Sequence, residues 1–130
     1  DLRRLVGQPP RDFDNRIHAD RALQQFNAED PADLVRLNVK RMEELIRIAE
    51  QRGARVFLFE LPYSGPIEAS HYARTTREIV HTAFADSNRW LPLEVNRAEL
   101  RWPDGVHLDE RSAVIVAQAM ERTLTGRAMK

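Results

Sequence analysis

The 130 residues suffice for one small domain, and 20 Lys+Arg against 20 Asp+Glu leave no net charge, so no overall field draws the chain to nucleic acid or to an anionic membrane. Hydrophobic residues at 42% and charged residues at 31% belong to a folded globular chain rather than a disordered one. With no cysteine there is no disulfide framework, thiolate nucleophile or cysteine-type zinc site, and no apolar run approaches the roughly 20 residues that a membrane helix needs.

Residues 1–30 read as loosely organised. Leu2, Leu5 and Val6 suggest a short helix that Gly7-Gln8-Pro9-Pro10 ends, and Leu23 and Phe26, three apart, suggest another over Ala19 to Phe26. Asp30 then offers a carboxylate to the first free amides of a helix, with Pro31 suited to its first position and Asp33 adding negative charge to the first turn. Val35, Val39, Met42, Ile46 and Ala49 form its apolar stripe; the arginines and acids on its remaining surface describe a solvated face with local ion pairs, and Gly53 ends it.

Val56-Phe57-Leu58-Phe59 is continuously apolar, which predicts a strand covered on both faces, and Pro62 stops it. After a loop from Pro62 to Ser70, the spacing of Tyr72, Thr76, Ile79, Val80, Ala83 and Phe84 predicts a helix that Ser70 caps. Trp90 to Val95 reads as a short strand, with Pro92 placing it at an edge or near a strand start. A loop follows to His107, and a last helix carries Ala113, Val116, Ala117, Met120 and Leu124, capped by Asp109 and closed by Gly126.

Alternating helices and strands predict an α/β domain over residues 31–126, a three-layer, flavodoxin-like parallel sheet flanked by helices, with 127–130 as a tail. Two strands are too few for a stable sheet, so only the C-terminal half of such a domain is expected here, packed against an N-terminal half outside the chain. The absence of an initiating methionine fits a processed product or a fragment.

Ligands in open parallel sheets sit beyond the carboxyl ends of the strands, which directs attention to the loops after Leu61 and Val95. The second contains Asp104-Gly105-Val106-His107, an acid and an imidazole three residues apart across a glycine. In nucleophilic catalysis a carboxylate fixes the tautomer of a histidine whose other nitrogen takes the proton of a serine. The same tetrapeptide is also an ordinary turn with a local hydrogen bond.

Asn38 to Leu124 resembles the C-terminal part of the SGNH, or GDSL-type, hydrolases and acyltransferases. Carrying the likeness are Arg52-Gly53-Ala54, the Val56 to Pro62 segment, the Tyr72 to Phe84 helix, Leu91-Pro92-Leu93, and Asp104-Gly105-Val106-His107-Leu108 before the closing helix. The resemblance implies a serine esterase or O-acyltransferase acting on ester or acyl groups of a small molecule or a carbohydrate. His107 would be its general base and Asp104 the orienting acid, with no cofactor. It also implies a bacterial periplasmic or envelope location, while composition leaves the cytoplasm open.

Departures matter as much. The family's Gly-Asp-Ser block and oxyanion glycine are absent, and the only serines are Ser64, Ser70, Ser87 and Ser112. Asn27 stands where the family's third block, G-x-N-D, is expected, without its glycine. Asn27, Tyr63, Ser64 and Trp102 are the candidate substrate-binding residues, and the nucleophile is expected outside this chain. Two other readings stay open: a non-catalytic domain of this kind binding a glycan or protein partner, and a metal site on Asp104, His107 and Asp109 completed by His18, His71 or His81.

Overall fold

The computed structural model describes residues 2–9, 11–12 and 15–128, without the side chains of 127 and 128; Pro10 of the first turn cluster and the tail residues 129–130 lie outside them. Among the described residues five α-helices follow one another: α1 (Arg16–Ala28), α2 (Ala32–Gln51), the single turn α3 (Gly65–Glu68), α4 (His71–Ala83) and α5 (Glu110–Ala128). Short 3-10 turns occupy Leu2–Leu5, Ser87–Arg89 and Arg97–Glu99.

Helix boundaries follow local chemistry. Asp30 Oδ1 accepts from the Ala32 amide at 3.0 Å, fixing the start of α2. Its end is a glycine-closed turn in which Gly53, at φ +84°, donates to the Glu50 carbonyl and Ala54 donates to that of Ala49. Ser70 Oγ accepts from the Ala73 amide at the start of α4, and Asp109 Oδ1 accepts from Ser112 at the start of α5. Gly126 does not close α5, which runs on to Ala128; glycine permits a left-handed stop but also tolerates a helical conformation. The expected Ala19 to Phe26 helix lies inside the longer α1.

The parallel sheet is not formed. Among the described residues there is no strand; a single parallel bridge joins Leu58 to Trp90, built from Leu58 N–H donating to Arg89 at 2.9 Å and Leu91 N–H donating to Leu58 at 2.7 Å. Nor is Val56 to Phe59 covered on both faces, since Val56, Phe57 and Leu58 are only partly buried and Phe59 is 39% exposed. The flavodoxin-like α/β expectation is therefore corrected to a mainly helical fold with one extended pair. Continuous apolarity reports a tendency to be buried, whereas a strand also needs neighbours to hydrogen-bond along both edges. Here a single short neighbour is present, and the ladder stops after one rung.

The core lies between α2 and α4. Val35, Val39 and Phe84 are buried, with Ile46, Leu58, Ile79, Val80 and Trp90 packed against them, each large side chain contributing about 1.5–3 kcal/mol through removal from water. Trp90 is pinned there by its indole N–H, which donates to the Phe84 carbonyl at 2.7 Å. Beyond it, Ile67, Leu91, Leu100, Val116 and Ala119 are also buried. α1 packs on α3 and α4, and α5 on the Leu2–Leu5 turn. No helix among the described residues is long and apolar enough to cross a membrane.

Candidate functional site

Asp104 and His107 meet in the loop before α5. The turn closes through Gly105 N–H donating to the Trp102 carbonyl at 3.2 Å, with Gly105 at φ +85°, a backbone state that residues with a Cβ seldom adopt. Asp104 Oδ1 accepts from the amides of Val106 (3.0 Å) and His107 (2.7 Å), while Oδ2 lies 2.7 Å from Nδ1 of the His107 ring. Burial pushes the Asp104 carboxyl up, but the bonds from the His107 ring and from the His107 and Val106 amides, with the charge of His107, outweigh this and hold it at about 2. Asp104 is thus a fixed carboxylate bonded to one ring nitrogen. The His107 side chain is 81% exposed, which leaves Nε2 open to solvent and to any group placed against it.

Three of the four candidate binding residues cluster around this turn. Ser64 Oγ donates to the Gly105 carbonyl at 2.6 Å, and the Ser64 amide donates to the same oxygen at 3.3 Å. Trp102 Nε1 donates to Pro62 at 2.9 Å. Tyr63 gives its carbonyl to the Arg97 guanidinium, which lies 5.7 Å from the Trp102 ring centre. The 62–64 segment therefore holds the Trp102–Gly105 turn, Ser64 donating to Gly105 and Pro62 accepting from Trp102. Asn27 does different work: its Oδ1 accepts from the His71 amide at 3.1 Å, tying the end of α1 to the start of α4.

The serines are engaged elsewhere. Ser70 and Ser112 are buried; Ser70 Oγ donates to Ile67, and Ser112 Oγ accepts from the Arg101 amide. Ser64 spends its proton on Gly105 rather than on His107. Asp109 is likewise buried, with its carboxylate turned to the Ser112 amide, and among the described residues no three His, Asp or Glu side chains gather as metal ligands would.

A second carboxylate–imidazole pair escaped sequence reasoning. Glu60 accepts from Arg77 Nε at 3.0 Å and pairs with His81 Nε2, and the His81 ring stacks on Trp90 at 4.2 Å between centroids. Burial raises the Glu60 carboxyl, yet the bonds from His81 and Arg77 bring it below its ordinary value. Only the spacing of Arg77 and His81, one helical turn apart on α4, foreshadowed a shared partner. Glu60 and His81 stand between two cavities, one of about 540 Å³ bordered by Arg97 and Pro92 and one of about 410 Å³ bordered by Phe26, Tyr63 and Tyr72. Neither is lined by Asp104 or His107. Comparison of the chain with protein-family models, curated proteins and solved structures gives no match.

Proposed function

We propose that this chain carries the acid–base half of a serine esterase or O-acyltransferase acting on ester or acyl groups. The observation behind this reading is the 2.7 Å bond between Asp104 Oδ2 and His107 Nδ1 together with the open Nε2. In that role Nε2 takes the proton of a serine hydroxyl as its oxygen attacks the ester carbonyl. The imidazolium then protonates the departing alcohol as the tetrahedral intermediate collapses to an acyl-enzyme. Water or an acceptor hydroxyl repeats the cycle, with Nε2 taking its proton and returning it to the serine. Asp104, ionised throughout, stabilises the imidazolium and fixes the ring.

The serine itself comes from outside these 130 residues, because Ser64, Ser70 and Ser112 donate or accept within the fold and Ser87 only opens an exposed turn. Of the three imidazole–carboxylate pairs among the described residues, that of His107 is best suited to a base; His71 lies 3.9 Å from Asp30, beyond a hydrogen bond. His81 is stacked on Trp90 and its carboxylate is shared with Arg77, whereas Asp104 serves only its own turn.

The test is p-nitrophenyl acetate turnover by the protein that supplies the serine together with this chain. His107→Ala abolishes turnover and His81→Ala leaves it within about threefold, since loss of a general base costs orders of magnitude and loss of a distant ion pair does not. Equal activity in both variants overturns the assignment of His107.

A further inference from the structure

Asp104 and Gly105 are open to a second chemistry besides the bond to His107. They form the only Asp-Gly pair in the sequence. Glycine has no Cβ to shield its nitrogen, so that nitrogen can attack Cγ of the aspartate before it. The N–Cγ bond forms while the amide proton and the carboxyl hydroxyl leave as water, closing a five-membered succinimide. Water then opens the ring at either carbonyl. One opening restores Asp104; the other gives isoaspartate, in which the main chain runs through Cγ and the free carboxylate sits on Cα. Water is the only reagent.

The folded turn opposes the first step. Asp104 Oδ1 accepts from the Val106 and His107 amides and Oδ2 lies 2.7 Å from His107 Nδ1, so turning the side chain onto the Gly105 nitrogen sacrifices those bonds. Gly105 is held from both ends, its N–H donating to Trp102 at 3.2 Å and its carbonyl accepting from Ser64 Oγ at 2.6 Å. Closure also needs the neutral acid, because water is the leaving group. Burial raises the Asp104 carboxyl, yet the bonds from His107 and Val106 hold it at about 2 against an ordinary 3.8, which makes the neutral form scarcer than in an unfolded chain.

We propose that the Asp104–Gly105 bond is an isomerisation site of this chain, kept closed by the Asp104–His107 pair and opened when the turn loosens. Isomerisation adds one methylene to the main chain of the turn and moves the carboxylate away from Nδ1. That this disables catalysis rests on the role proposed for His107; the covalent change itself does not.

The protein is aged at about pH 6, folded and in urea, and isoaspartate is located by peptide mapping with mass spectrometry after ring opening in isotopically labelled water. Isoaspartate is expected at Asp104, forming about tenfold or more slowly in the folded protein than in urea. His107→Ala and Ser64→Ala each speed the folded rate about threefold or more, the first by removing the ring bond and the second by releasing Gly105. The His107 side chain is 81% exposed, so its loss leaves the fold in place. Asp86-Ser87, in an exposed turn, serves as an internal clock whose rate stays within about twofold in both variants, whereas general unfolding speeds both sites together. No isoaspartate at Asp104 in urea overturns the proposal, as does a folded rate equal to that in urea, or a folded rate that neither variant changes.

Discussion

Replacing Asp104 by asparagine isolates the bond to His107. The amide oxygen of the introduced side chain still accepts from Val106 and His107 N–H, but its NH₂ group cannot accept from Nδ1 of the ring. The wild-type carboxyl is held at about 2 against an ordinary 3.8, burial raising it and the bonds from His107 and Val106 prevailing. At full strength that depression corresponds to about 2.5 kcal/mol of stability. The side chain is 39% exposed, and screening by water reduces the contribution to about 1 kcal/mol. Because the folded value lies below the unfolded one, this stability is present above about pH 4 and is lost as the pH falls through about 2. Urea unfolding followed by helical circular dichroism is expected to show Asp104→Asn about 1 kcal/mol less stable than wild type at pH 7, with the difference closing toward zero near pH 2. A difference that is absent at pH 7, or equally large at both pH values, contradicts a stabilising Asp104–His107 bond.

Other substitutions probe the supports of the site. Gly105→Ala places a Cβ at 3.5 Å from Ala19 and Ser64, an ordinary contact, so its expected cost of about 1 kcal/mol comes from the positive φ alone; an unchanged thermal midpoint contradicts this. Ser70→Ala removes both the bond to Ile67 and the cap of α4 and is expected to cost about 1–2 kcal/mol in denaturant unfolding, a loss below about 0.3 kcal/mol counting against the cap. Thr76 Oγ1 is buried without a hydrogen-bond partner among the described residues. Thr76→Val, nearly equal in shape, is therefore expected to raise stability by about 0.5–1 kcal/mol, and a destabilised variant reveals a bond to that hydroxyl.

What the sequence disclosed is what near neighbours decide. Asp30, Ser70 and Asp109 announce helix starts because a cap reaches amides two or three residues away. Asp104 and His107 meet for the same reason, being three residues apart across a glycine that turns the chain. Val56 to Phe59 misled because its apolarity says nothing about which segment pairs with it, and the structure supplies one bridge from Trp90. Glu60 and His81, 21 residues apart, are joined only by the packing of α4. α1 was legible only as the shorter Ala19 to Phe26, since it buries no residue and shows little apolar period.

In the proposed role Asp104 holds the His107 ring with Nδ1 protonated and Nε2 free to take a proton. Nitrogen-15 NMR of the imidazole reads this directly. Neutral His107 is expected as the Nδ1–H tautomer in wild type, with Nε2 unprotonated and the preference lost in Asp104→Asn. A neutral ring protonated at Nε2, or a tautomer that Asp104→Asn leaves unchanged, contradicts the account.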